Sequence, residues 1–571
     1  MDQQDKGMQY DIKISGGTIL DGSGADGYQG DVAIADGKIV ALGEAPGDAD
    51  KTIDATGKYV TPGFVDIHTH YDAQIMWDKM LSISPWHGVT TVVLGNCGFG
   101  IAPTRPEHRL LIAETLESVE GMSVEALKSG LGEDWGFESF PEYLDAIEGQ
   151  GSAINVAVLL GHTPLRLYVM GEDATEREAT DEEIADMRKL VREALDAGAV
   201  GFATSKARTH VGYRGKPVPS RLADKRELMD LTGVLGDASR GMIQATIGEG
   251  LSYKEFAEIN QSTGRRISWT ALLAGTSFGG GGTYKDQLRK SEELIAAGYD
   301  VVPQVTCRPL NFEFTFKAPF VFESSRLFQE VSAADFAKRK EIYADPEFRE
   351  RFRRMLDKPG NALTVGFPQA IVSNCQSDPD MNECVLADLA TQQDKHFVDV
   401  ALDLSLANEL EVRFRMPIAN NDEDEVQELL DHPETVLGLS DAGAHASQLC
   451  DACFSTHLLG HWVRDKGTIP IARAVRMLTS RPAEVFGLSD RGTLAEGKPA
   501  DVVVFDLETV GASELERVYD LPAGQDRLIS KASGIEAVIV NGIILRAQGI
   551  DMIGTSAEEL PGKLLRNGAA A

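Results

Sequence analysis

The chain has 571 residues, 43% hydrophobic and 25% charged, an ordinary globular balance that excludes a chain too polar to bury a core. Its 88 acidic against 55 basic residues give a formal net charge of −33, which argues against nucleic acid or an anionic membrane as partner. Six scattered cysteines, no apolar run long enough for a bilayer, and a polar opening "MDQQDKGMQYDIK" without a leader's basic and apolar regions fit a reducing cytoplasm.

The opening stretches "YDIKISGGTILDGSG", "GDVAIADGKIVALG" and "KTIDATGKYVTPG" alternate apolar and polar residues between Gly- and Asp-rich turns, as short antiparallel strands do. The far end, with "GTLAEGKPADVVVFD" and "GIEAVIVNGIILRAQG", has the same texture. Neither piece is large enough to bury a core alone, so the two ends are expected to pair into one small β-sandwich domain, residues 1–61 and 489–571.

Between them, residues 62–488 alternate strand-like runs with amphipathic stretches such as "ATDEEIADMRKLVREALDAGA". The eight strand candidates are "PGFVDIHTH", "GVTTVVLGNCG", "INVAVLLGHTPLR", "AVGFATSKAR", "GMIQATIGEG", "RRISWTALLAG", "YDVVPQVTCRP" and "TVLGLSDAGAH". Eight βα units make an α/β fold of the (β/α)8 TIM-barrel type, with functional residues at the C-terminal ends of the strands. An aromatic-rich excursion at about 310–362, between strands seven and eight, reads as a lid, a pocket wall or an added packing layer. "SFGGGGTY" after strand six reads as a flexible turn, a hinge or an anion-holding loop.

At the end of strand one, in "GFVDIHTHYDAQ", period-two alternation turns His68 and His70 to one face. Two neutral imidazoles converging there point to a divalent metal ion, most often zinc. Cys97, closing strand two between glycines, is either a thiolate ligand or a small core residue on these grounds. Asp441, ending strand eight in "GLSDAGAH", suits a ligand that also takes a proton from metal-activated water as base and returns it as acid; the plainer reading is a helix cap. His445 is a substrate contact, an orienting partner of Asp441 or an ordinary loop residue. Lys206, Arg208 and His210 after strand four, with Arg308 after strand seven, gather positive charge where an anionic, carboxylate-bearing small molecule would lie, although each is also ordinary solvated charge. Cys450 and Cys453 form a C-x-x-C without a second pair, and are read as helix or loop residues. No Walker-type loop is present.

These motifs, with "LLGHTPLR", "EALDAGAVGFATS" and the closing "SRPAEVFGLSDRGTLAEGKPADVVVFD", resemble the amidohydrolase superfamily and within it the N-acyl-D-amino-acid deacylase (D-aminoacylase) branch, over residues 8 to about 550. The resemblance implies a metal-bearing barrel, hydrolysis of an amide C–N bond by activated water, and ligand roles for His68, His70, Cys97 and Asp441. It also implies one ligating histidine after strand five and another after strand six, yet neither "GMIQATIGEG" nor "RRISWTALLAG" contains histidine. One ion per subunit rather than two, held by His68, His70 and Asp441 with Cys97 or water completing it, is therefore expected. Gln244, Glu249 and His210 are possible substitutes, and manganese or iron are alternatives to zinc. Alternative functions are lactone or cyclic-amide ring opening, C–C cleavage, and a non-catalytic binding protein. A homo-oligomer is expected from the resemblance.

Overall fold

The computed structural model describes residues 9–275, 282–323, 325–357 and 366–570. The Gly-rich stretch read as a turn, hinge or anion-holding loop falls mostly on 276–281, outside the described residues.

All eight expected strands form, in one parallel sheet: β1 (Phe64–Asp66), β2 (Val89–Leu94), β3 (Asn155–Gly161), β4 (Gly201–Ser205), β5 (Met242–Thr246), β6 (Ile267–Thr270), β7 (Val301–Val305) and β8 (Val436–Leu437). Their spatial order follows the chain from β1 to β8. Every residue of these strands is buried, because helices cover one face and the barrel interior the other. That is why the sequence shows near-continuous apolar runs here, whereas the terminal sheet alternates. The last seam closes beyond the strand ends: Asp441 N–H donates to the His68 carbonyl at 3.1 Å and His70 N–H to the Ala442 carbonyl at 2.7 Å. Closure thus places the His68–His70 pair directly beside Asp441. The amphipathic stretch forms a helix over Asp181–Ala197, started by a Thr180–Glu183 capping box and stopped by Gly198.

The two chain ends share one nine-stranded sheet. Tyr59–Pro62 pairs antiparallel with Val502–Phe505, so the chain leaves this sheet for the barrel and later returns beside the strand it left. Ile12, Ile34, Ile39, Val60, Val504 and Ile539 form part of its core. The last residues run back beneath the barrel, where Val156 N–H donates to the Lys563 carbonyl at 2.9 Å.

The excursion after β7 is larger than the 310–362 expected. Its three-stranded antiparallel sheet is built from Leu310–Phe314, Ile371–Asn374 and Arg413–Ala419 and surrounds a separate aromatic core that includes Phe314, Phe316, Phe322, Phe352, Phe367 and Phe414. The closing strand, "RFRMPIA", buries Phe414 and Met416 and leaves the alternating Arg413 and Arg415 half-buried. The helices of the excursion include Phe336–Ala344 and Pro346–Leu356, with Asp345 capping the second, and Leu386–Gln393 and Phe397–Ala407. Among the described residues no helix is long and apolar enough to cross a membrane.

Candidate active site

The barrel mouth brings the expected donors together. One ligand atom from each of His68, His70 and Cys97 lies within 4.8 Å of the others, and all three residues are buried. No other such group of three or more His, Cys, Asp or Glu occurs among the described residues. His68 Nε2 lies 3.3 Å from Cys97 Sγ and 3.4 Å from Asp441 Oδ1, while His70 Nε2 lies 3.7 Å from the same carboxylate oxygen.

The tautomer of His68 follows from its far side. Gln304, on β7, donates through Nε2 to Ser268 Oγ at 2.9 Å, which leaves its Oε1 to accept from His68 Nδ1–H at 2.7 Å. Nε2 is then the bare nitrogen, aimed at the site. Burial holds the His68 imidazole neutral, with its pKa lowered to about 4 against the pull of Gln304. Burial also holds His70 well below its ordinary value. Two neutral, buried imidazoles with an adjacent thiol and a carboxylate are the donor chemistry a divalent ion takes, so the residues present fit one.

Cys97, Asp441 and His445 all adopt left-handed backbone, at φ 55°, 47° and 49°. Such conformations are uncommon for residues with a Cβ and persist where the surroundings hold them. Before Cys97, Gly95 lies so close to β3 that a Cβ there would meet the Leu159 carbonyl oxygen at 2.1 Å. Asp66, fully buried under the histidines, accepts from Ser440 Oγ at 2.5 Å and so fastens β1 to the loop carrying Asp441.

Where β5 and β6 end, the chain offers no imidazole. Thr246 and Thr270 face one another there, Oγ1 to Oγ1 at 3.2 Å, close to the Cys97 thiol. Gln244 is not a free donor, because its Oε1 accepts from the Cys97 N–H at 2.7 Å. Glu249 is exposed. Of the two expected alternatives besides Gln244, only His210 is near the cluster: its ring lies 5.0 Å from that of Phe99, which in turn lies 6.2 Å from His70.

The expected substrate contacts divide. His210 is held neutral by burial, with its pKa at about 3, and its Nδ1 sits 2.7 Å from Ser205 Oγ. His445 packs edge-on against Phe312 and beside Phe320 of the excursion, with centroids 5.0 and 5.1 Å away, so that subdomain reaches the mouth. Arg208 is exposed on the same loop as His210. The anion-holding role expected of Lys206 and Arg308 is not built. Lys206 is buried and spends its ammonium on the carbonyls of Arg221 and Ala223, while Arg308 Nε is bound to Asp451 Oδ1 at 2.7 Å. Each cation is satisfied inside the fold, as burial of charge requires. Cys450 and Cys453 are buried near Arg308, Cys453 Sγ reaching the Cys450 carbonyl at 3.4 Å.

Residues 51–306 and 396–545 match the amidohydrolase family. The chain belongs to that family. This amidohydrolase is 29% identical to the D-aminoacylase of Alcaligenes xylosoxydans xylosoxydans over 548 residues, 95% of each chain. It is 30% identical to that organism's N-acyl-D-aspartate deacylase over 575 residues, 99% of this chain and 97% of the relative. A crystal structure of D-aminoacylase superposes with a TM-score of 0.67 at 25% identity, over 97% of this chain and 99% of that one. N-acyl-D-glutamate deacylase from Bordetella bronchiseptica, complexed with zinc and a phosphonate mimic of the tetrahedral intermediate, superposes with a TM-score of 0.65 at 26% identity, over 98% and 100%. This amidohydrolase is a metal-dependent hydrolase of C–N bonds other than peptide bonds.

Sequence reasoning did not single out Gln304, Ser440, Thr246, Thr270 or Glu120, all of which surround the donors. Gln304 had a signal, a lone amide inside the apolar run "VVPQV". Glu120 had none, because it ends a surface-type helix over Arg109–Glu120.

Proposed function

We propose that this enzyme hydrolyses the amide of an N-acyl amino acid, with His68, His70 and Cys97 holding a single divalent ion, zinc by preference, and Asp441 moving the proton. The observation that carries the reading is the approach of Asp441 Oδ1 to both imidazoles, 3.4 and 3.7 Å from their Nε2 atoms. A divalent ion bound there supplies Lewis acidity to the amide carbonyl and lowers the pKa of water toward neutrality. Burial raises the Asp441 carboxyl to about 6 against the pull of His445, so near neutral pH it is ionised and still a competent proton acceptor. It takes the proton from the attacking water and delivers it to the departing amine nitrogen. His210 and His445, neutral and facing the mouth, are placed to donate N–H bonds to the substrate's carboxylate or acyl oxygen, with Arg208 supplying charge from the rim.

A single ion is favoured because the ends of β5 and β6 present hydroxyls to Cys97 where the family pattern has imidazoles. The named relatives act on N-acyl-D-amino acids, and the same substrate class is proposed here. The altered β5–β6 ends also keep open a second reading, ring opening of a lactone or cyclic amide.

Metal analysis of purified protein, joined to a screen of N-acyl-D- and N-acyl-L-amino acids beside lactones and cyclic amides, tests the proposal. The expected result is about one ion per chain and turnover of N-acyl-D substrates that chelation removes. Full activity in metal-free protein, or turnover of lactones alone, would defeat it.

A further inference from the structure

Glu120 is the last residue of the helix Arg109–Glu120 and is only 5% exposed. A carboxylate at a helix C-terminus meets the negative end of the helix dipole, and burial adds a desolvation cost. No lysine or arginine offsets either cost: among the described residues the one ion-pair partner of the Glu120 side chain is His70, whose Nδ1 lies 3.3 Å from Oε1. Asp72 and Asp441 add their own negative potential nearby, and Asp72 is 4% exposed. Three carboxylates therefore converge on the site with no basic side chain among them. Such clustering is relieved by a bound cation or by protonation, and burial pushes the Glu120 carboxyl well above its ordinary range.

The His70 ring tells the same story from its own side. Its Nδ1 is buried and makes no well-aligned hydrogen bond, and Glu120 Oε1 is the carboxylate it faces. Its Nε2 points to Asp441. His68 has the same division of labour, with Gln304 on Nδ1 and Nε2 turned inward. The two histidines thus carry different supports, a neutral amide for one and a carboxylate for the other.

We propose that Glu120 is the residue that positions His70: it accepts the Nδ1–H and so fixes Nε2 as the nitrogen offered to the ion. The proposal rests on the reading of this mouth as a metal centre and deepens it. A carboxylate behind a ligating imidazole raises the basicity of the ring, and losing such a partner typically weakens metal affinity by about 10–100-fold.

The test is a double-mutant cycle on zinc affinity, measured by chelator competition for wild type, Glu120→Gln, His70→Ala and the double variant. Glu120→Gln is expected to weaken zinc by about tenfold or more. In the His70→Ala background the same change should add almost nothing, because its route to the ion is gone. The metal-free Glu120→Gln protein should unfold at about the same temperature as wild type, since a positioning role matters only when the ion is bound. A role in packing alone would instead lower that temperature and leave the affinity losses additive. Affinity within about twofold of wild type, or additivity across the cycle, overturns the assignment. Should Glu120→Gln fail to fold, Glu120→Asp, which keeps the charge but withdraws it by one methylene, is expected to lose affinity in the same coupled way; wild-type affinity in that variant overturns the proposal too. If the wild type itself binds no zinc, the metal-centre reading fails, and this assignment falls with it.

Discussion

Two buried histidine sites in this barrel show how a structural imidazole differs from one held ready for a ligand. His162, just after β3, is satisfied on both ring nitrogens: Nδ1 lies 2.8 Å from Thr204 Oγ1 and Nε2 lies 2.8 Å from Glu227 Oε1. Glu227 is also paired with the buried Arg166, so charge is balanced inside the network. At the mouth, His68 Nδ1 is held by Gln304, but its Nε2 meets only a thiol and a carboxylate, both of which can themselves ligate an ion, and His70 Nδ1 is buried without a well-aligned hydrogen bond. The His162 network is closed, whereas at the mouth two imidazoles, a thiol and a carboxylate face one space. Buried polar groups in a folded protein are normally paired, so an unfinished set at the functional end of a barrel marks a ligand position.

Substitutions on the two sites should separate them. At the open site, Asp441→Asn should lower kcat by about 10²–10⁴-fold with the circular dichroism spectrum unchanged, as removal of a general base does. A variant as fast as the parent would take Asp441 out of the chemistry.

At the closed site the loss should be of stability. Glu227→Ala strands Arg166 and should cost about 3–5 kcal/mol, read from the denaturant midpoint. Burial opposes ionisation of Glu227, but the His162 and Arg166 contacts outweigh it and hold its carboxyl down at about 2. The folded state therefore binds fewer protons than the unfolded state in the acid range. The Glu227 contribution is complete above the unfolded value near 4.5 and is lost as pH falls toward 2, and Glu227→Gln should remove that part of the acid slope.

A sharper version adds imidazoles to the mouth itself. Thr246→His combined with Thr270→His should raise the bound zinc from about one to about two equivalents per chain, with one of them more resistant to chelators, because imidazole outcompetes a neutral hydroxyl as a zinc ligand. Unchanged stoichiometry would show that more than these two side chains sets the ion count.

The smallest effect is expected at the rim. His445→Phe keeps the aromatic packing against Phe312 and Phe320 but deletes the N–H, and one hydrogen bond of about 0.5–1.5 kcal/mol corresponds to a rise in KM of about 2- to 10-fold with kcat little changed. A fall in kcat with KM unchanged would assign His445 to the reaction and not to binding.

The β1 and β2 motifs and the eight apolar runs were legible because buried parallel strands impose continuous hydrophobicity and because a strand's two-residue period fixes which histidines share a face. His68, His70, Cys97 and Asp441 could be named from those patterns, and the absence of histidine on β5 and β6 could be read by inspection. The closing strand Arg413–Ala419 was not placed although it alternates, because its partners Leu310–Phe314 and Ile371–Asn374 lie far from it in the chain. Lys206 and Arg308 looked like anion holders because charge in a sequence carries no direction; only folding decided that the first would end on backbone carbonyls and the second on Asp451. Glu120, some fifty residues from His70 in the chain, acquires its meaning only when the end of its helix is packed against the barrel mouth. Local periodicity encodes which face a residue occupies, whereas the partner it meets there depends on long-range packing that no short window of sequence contains.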